Sequence, residues 1–288
     1  MAEPASWWRS RSTVLHHSAV RQSFVISVVA VEPIPPDSID AVPGRVDIPK
    51  LTARSVILSA LLGLDSPEAS TNGLLATATE LGLRESTVRV ALTRLVAAGD
   101  LERIDGRCRL SPRLVERQQR QDRALHPARR DWDGSWDLAI VTIGSESSTE
   151  RALLRDTLRK ARLGEIREGV WARPANLDIE LPPELRRRLS LFRAAPEEAS
   201  TELAARLFTP STWAATADEL LDALAAAATV ADRFEVAAAI VRHILRDPLL
   251  PAELLPDAWP GDRLREGYEG FRSELTGLTA RHLAPDGE

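Results

Sequence analysis

The chain has 288 residues, 44% of them hydrophobic, and a formal net charge of -5 at pH 7. This length and apolar content support two or three domains with separate cores, which excludes a disordered or fibrous protein. The single cysteine, Cys108, has no partner for an intramolecular disulfide, and no Cys/His cluster has metal-ligand spacing. A reducing, cytoplasmic compartment is therefore expected, with no metal site and no cofactor.

The first 49 residues mix Ser, Pro and aliphatic residues without sustained periodicity, so they are expected to form a mostly disordered arm or an extension from an upstream start codon. Their apolar run, residues 24–31, is far shorter than the roughly 18 residues that a membrane-spanning helix needs. Prolines follow the run without an A-x-A cleavage pattern, so secretion is not expected. No membrane partner is predicted.

Charge is unevenly divided along the chain. Residues 50–130 contain one Lys and thirteen Arg against nine Asp and Glu, whereas the rest of the chain is acidic. A basic segment of this kind favours a nucleic-acid partner. A genome-wide preference for Arg over Lys could produce the same bias, so charge serves only as supporting information.

Apolar spacing in this basic segment predicts a helix at 51–62, a short one at 73–80 and a third at 85–98. Two helices joined by a short turn that contains Gly82 form a helix-turn-helix, whose second helix reads DNA. On that helix Val88, Ala91, Leu92 and Leu95 share one face. The polar positions left at its start and outer surface, predicted to bind DNA, are Arg84, Ser86, Thr87, Arg89, Thr93 and Arg94. An alternative is an ordinary capped, solvated helix start.

A basic hairpin follows the third helix directly. In "LERIDGRCRL", the Asp105-Gly106 pair predicts a two-residue turn between a strand that carries Leu101 and Arg103 and a strand that carries Cys108 and Leu110. Such a hairpin after a reading helix is a wing, and its arginines Arg103, Arg107 and Arg109 are predicted to contact phosphate or the minor groove. An ordinary polar hairpin face is the alternative. Cys108 alternates with these arginines and is expected to face the core.

Beyond the wing, residues 112–130 predict a connecting helix that ends near Pro127. Strands at 136–143 and 170–173 flank a helix at 149–163, and a strand at 189–194 precedes a helix at 197–207. This order predicts a split β-α-β, or ferredoxin-like, unit. The remainder is helical, at 214–228, 232–248 and 264–278. The central helix is apolar nearly all round, so it should be buried against the ferredoxin-like unit or a second chain.

Several strings resemble the PaaX-type repressors of phenylacetic acid catabolism: "TARSVILSALLG", "ESTVRVALTRLVAAGDL", "RLSPRLVERQQRQ", "WDGSWDLAIVTI", "GEIREGVWARP", "RHILRDPLLPAELLP" and "WPGDRLREGYEGF". The resemblance covers residues 51 to about 272 and is loose between 176 and 215. It implies an α+β protein with an N-terminal winged helix (50–111), a ferredoxin-like middle domain (131–210) that follows the predicted linker helix (112–130), and a helical C-terminal domain (211–288). The C-terminal domain is expected to bind the effector and, through the apolar surplus of its helices, to form the dimer interface. It also implies a homodimeric repressor, released from double-stranded operator DNA by an acyl-CoA such as phenylacetyl-CoA.

Some tryptophans and basic residues could form the effector pocket. Trp136 and Trp171, with Trp132 and Trp259, could line an aryl or acyl site, while Arg173, Arg242 and His243 could meet coenzyme phosphates. The alternative is structural, because Trp anchors cores and a His inside an apolar helix is more often a hydrogen-bonded core residue.

Two further function classes are alternatives to a regulator. A metal-dependent ribonuclease of the ferredoxin-like class would need acids near the end of the first strand, where only Glu146 lies nearby. No catalytic motif occurs elsewhere, so no enzymatic activity is expected. A winged helix that binds a protein partner is the other alternative, and a salt titration of DNA binding would distinguish it from a DNA reader.

Overall fold

The computed structural model describes residues 48–62, 64, 67–116, 129–144 and 147–283. Most of the predicted arm, residues 117–128 of the predicted linker helix, and Glu146 lie outside this part of the chain. Residues 112–116 are helical. No described helix is both long and apolar enough to cross a membrane.

The first region is a winged helix. Its elements are α1 (Ala53–Leu62), β1 (Glu68–Ser70), α2 (Thr71–Glu80), α3 (Glu85–Ala97), β2 (Leu101–Ile104) and β3 (Arg107–Leu110). Ser70 caps α2 by accepting a hydrogen bond from the Gly73 amide at 3.0 Å. Asp105 and Gly106 both have positive φ, at 49° and 78°, as a two-residue hairpin turn requires. The turn, β2 and β3 are called the wing below.

One strand of this region was not predicted from the sequence. The segment before α2 has the composition of a polar loop, but β1 pairs antiparallel with β3 in a three-stranded sheet of order β1-β3-β2. Three residues are too few to show strand alternation, and the partner strand lies about forty residues later in the chain.

The middle region has the predicted ferredoxin-like architecture. Its elements are β4 (Trp136–Val141), α4 (Ser148–Lys160), β5 (Gly164–Arg167), β6 (Val170–Pro174), α5 (Pro183–Arg186) and β7 (Leu189–Ala194), and the antiparallel sheet has the order β5-β6-β4-β7. The short elements β5 and α5 were not predicted. The helix expected to complete the unit is α6 (Ser200–Phe208), which packs on the opposite sheet face from α4.

The C-terminal region is helical, with α7 (Pro210–Ala226), α8 (Val230–Ile244), a short 3-10 turn (Ala252–Leu254) and α9 (Gly261–Leu283). Thr229 and Asp232 form a capping box at the start of α8. Eight residues of α8 are buried, as its all-round apolar pattern predicts.

The neighbours of these helices differ in part from the expectation. The C-terminal region contacts the middle region through Leu250 and Leu254. Its helices also share one continuous core with the winged helix. In that core Tyr268, Phe271 and Leu275 of α9 belong to the same cluster as residues of α1 and α2. The winged helix is thus packed against the C-terminal helices and is not a free module.

Candidate nucleic-acid interface

Helix α3 presents a polar face to solvent. Val88, Leu92 and Leu95 are at most 1% exposed and hold the helix on the core at helical spacing. All six positions predicted on this helix are exposed: Arg84, Ser86, Thr87, Arg89, Thr93 and Arg94. The structure therefore brings this part of the predicted site together on one element.

The arginine at the centre of α3 has an internal partner. Arg89 donates to the Glu85 carboxylate from Nε at 2.9 Å and from Nη2 at 2.5 Å, and both side chains are 58% exposed. An exposed pair one turn apart contributes only a few tenths of a kcal/mol. A phosphate or a guanine edge can therefore displace Glu85 at small cost.

An open groove of about 550 Å³ lies between the start of α1 and α3. Its polar lining contains the predicted residues Ser86, Thr87 and Arg94 and also Thr52 and Arg54, which were not predicted. Arg54 pairs with Asp100 at 2.8 Å. No pattern marked Thr52 or Arg54, because only the packing of α1 against α3 places them there.

The three predicted wing arginines fall on two faces of the sheet. Arg107 and Arg109 point to the outer face, away from the buried Cys108, and both bind the carboxylate of Glu68 on β1. Arg103 lies opposite Cys108 in the register and is exposed. The hydrogen bonds and pairing with Arg109 and Arg107 hold the pKa of Glu68 below its usual value.

The residues predicted to bind an effector are not gathered in one place. Trp136 and Trp171, each 1% exposed, project from opposite faces of the middle sheet, toward α6 and α4 respectively. The guanidinium of Arg159 lies 5.9 Å from the Trp171 ring centroid. Trp132 donates to the Ser135 carbonyl at 2.7 Å.

Arg173 is buried, with 1% exposure, and its guanidinium donates to protein acceptors. These are the carbonyls of Pro174 at 3.1 Å and Arg162 at 3.2 Å, and Asn176 Oδ1 at 2.9 Å. Burial, with a smaller contribution from the charge of Arg162, lowers the pKa of Arg173 to about 9. Its contacts are those of a structural residue at the interface between the middle and C-terminal regions.

His243 and Arg242 lie on α8, and both are half-buried. The His243 ring stacks on Trp213 at 4.4 Å between centroids, Trp213 in turn stacks on Trp259 at 4.5 Å, and His243 Nε2 lies 2.9 Å from the Trp213 carbonyl oxygen. Burial lowers the pKa of His243, which favours the neutral ring. This stack matches the structural alternative for His243, a hydrogen-bonded core residue.

Among the described residues, no group of three or more His, Cys, Asp or Glu could hold a metal ion. These residues therefore offer no metal site for the ribonuclease alternative. Asp137, on the first strand of the middle sheet, pairs with Arg193 at 3.1 Å.

Comparison with known proteins matches the chain to three family models. The "PaaX-like protein" model matches residues 52–117, the "PaaX protein central Cas2-like domain" 129–205 and the "PaaX-like protein C-terminal domain" 203–285. Among solved structures, the uncharacterized protein Rv0674 from Mycobacterium tuberculosis is 45% identical, with a TM-score of 0.76 over 80% of this chain and 98% of that chain. No curated protein matches. The three models, in family order across the winged helix, the middle sheet and the C-terminal helices, show that the chain belongs to the PaaX-like family of regulators.

Proposed function

We propose that this chain is a cytoplasmic, non-enzymatic transcriptional repressor of the PaaX type. It binds operator DNA as a homodimer and is released by an acyl-CoA effector such as phenylacetyl-CoA. The observation that carries the proposal is α3, whose apolar face is fixed in the core while six polar and basic side chains, five on the helix and one at its N-cap Arg84, remain exposed. A helix of this width fits the major groove.

Two neighbouring elements support DNA binding. The groove on the protein surface beside α3 is bordered by Thr52, Arg54 and Arg94, which could bind phosphate oxygens. The wing adds Arg103, Arg107 and Arg109 as phosphate or minor-groove contacts. With α3 reading bases, these residues would set the position of the protein on the duplex.

Arg89→Ala is expected to weaken operator binding by about 1 to 3 kcal/mol and to relax the preference at one base pair per half-site, because a bidentate arginine reads guanine O6 and N7. Fluorescence anisotropy with operator variants would measure both effects. The matched control is Arg206→Ala, which removes an exposed arginine paired with Glu198 at 2.7 Å but distant in sequence from α3. Equal affinity and base preference for Arg89→Ala and the wild type would remove Arg89 from the reading surface.

A homodimer is proposed because one winged helix covers few base pairs and a two-fold pair places two reading helices on successive half-sites. The C-terminal helices were expected to supply the interface from their apolar surplus, but much of it packs into the core shared with the winged helix. Among the described residues, the large exposed hydrophobic side chains are Val90, Ile104, Ile143, Leu153, Ile166 and Phe192. None of these lies in the C-terminal helices.

Helix α9 supports coupling between an effector and DNA. Near its start, Arg265 donates to the buried Asp247 carboxylate at 2.5 Å, beside the middle region. Near its end, Arg281 and His282 bind Glu80, the last residue of α2. A shift of α9 would therefore move the helix-turn-helix. Titration of phenylacetyl-CoA into the DNA complex, with free CoA as the control, tests release directly.

A further inference from the structure

The outer face of the three-stranded sheet, which carries Arg107 and Arg109 of the wing, has no net charge from its strand residues, despite the basic composition of this segment. In the sheet register, Arg109 on the central strand β3 pairs with Glu68 on β1 and with Glu102 on β2. Arg107 is the remaining charged residue of the named strands on this face, which gives two positive and two negative side chains. A balanced face attracts phosphate weakly.

One carboxylate holds both arginines of this face. Glu68 Oε1 accepts from Arg107 Nε at 2.5 Å, and Glu68 Oε2 accepts from Arg109 Nε at 2.8 Å and Nη2 at 2.5 Å. The Glu68 side chain is only 19% exposed, whereas Arg107 and Arg109 are 53% and 50% exposed. The arginines cover the carboxylate and keep part of their own surface open to a ligand.

We propose that Glu68 is an affinity-setting residue, which restrains the two wing arginines and so limits how strongly the wing binds the DNA backbone. The inference rests on the proposed function and names a residue that regulates it. A phosphate that approaches the Nε edge of Arg107 or Arg109 must compete with Glu68 for the same N–H groups, and at the remaining N–H groups the nearby carboxylate charge offsets part of the attraction. Limited backbone affinity leaves a larger share of the binding to sequence reading by α3.

The test is Glu68→Gln, which removes the charge and keeps the size of the side chain. Binding to a 30-bp duplex of arbitrary sequence is measured across a salt series. For each additional phosphate that the wing neutralises, affinity should rise about eightfold at 0.1 M salt, and the slope of log K against log salt should steepen by about 0.9. Adding Arg107→Ala and Arg109→Ala to the variant should abolish this increase in affinity.

Glu184→Gln is the control, because it removes the same charge from an exposed position in the middle region. Glu68→Thr, which suits an edge strand, replaces Glu68→Gln if thermal melting shows that the amide variant is unfolded. If the wild type binds DNA and a folded Glu68 variant binds it with equal or weaker affinity, the inference is overturned. If neither protein bound any duplex, the proposed function would fail and the inference with it.

Discussion

Phe271→Ala is expected to lower the free energy of unfolding by about 3 to 5 kcal/mol, the cost of truncating a buried aromatic ring. Phe271 lies on α9, is 3% exposed and packs edge-on against Phe234 with 5.8 Å between ring centroids. Because this core is continuous with that of the winged helix, the loss should also reduce DNA binding. Urea denaturation followed by circular dichroism measures the stability, and duplex binding at the same temperature measures the second effect.

Phe192→Ala is the matched control. It makes the same substitution at a residue that is 55% exposed, so its stability should stay within about 0.5 kcal/mol of the wild type. A Phe271→Ala protein whose winged helix melted at the wild-type temperature would show that the two regions unfold independently. That result would contradict the shared core.

Asp247→Asn should also destabilise the protein strongly, by about 3 to 5 kcal/mol, because it removes a buried carboxylate and leaves the largely buried guanidinium of Arg265, 15% exposed, without it. Asp247 is 1% exposed and accepts from Arg265 at 2.5 Å and from the Leu249 amide at 2.8 Å. Its charge also offsets the burial that lowers the pKa of Arg162, which donates to the Asp247 carbonyl at 2.9 Å. Without the Asp247 charge, Arg162 and Arg265 repel each other at the interface between the middle and C-terminal regions.

Asp218→Asn provides the comparison for this variant. Asp218 pairs with Arg263 at 3.6 Å, and both side chains are more than half exposed, so the change should cost less than about 0.5 kcal/mol. Thermal and urea unfolding of both variants at pH 7 gives the two values. Similar small losses in the free energy of unfolding for the two variants would show that Asp247 does not stabilise the interface between the middle and C-terminal regions.

The parts of the fold that were predictable from the sequence are those set by local periodicity. Val88, Leu92 and Leu95 repeat at helical spacing, so α3 and its exposed face were predicted from residue positions alone. The Asp105-Gly106 pair identified the wing because few other residues adopt its left-handed turn. In the middle region, the long strands β4 and β7 were also predictable.

Features that depend on packing between distant segments were not predictable. The apolar pattern of α9 is compatible with many partners, and only the folded chain shows that it packs against the winged helix. The separation of Trp136 and Trp171 follows from the strand register, in which Trp136 lies opposite Pro174 and Trp171 opposite Ala139. Similarly, the pairing of Glu68 with Arg107 and Arg109 depends on β1, which is too short to recognise from its sequence.

Footprinting on the DNA upstream of the protein's own gene, and of adjacent catabolic genes, tests the central claim most directly. The wild type should protect two half-sites about one helical turn apart, in preference to a scrambled duplex. The triple variant Arg84→Ala, Arg89→Ala, Arg94→Ala should lose that protection, whereas a triple Ala variant of the exposed middle-region residues Arg151, Arg186 and Arg187 should retain it. Protection by the α3 variant equal to that of the wild type would contradict the account.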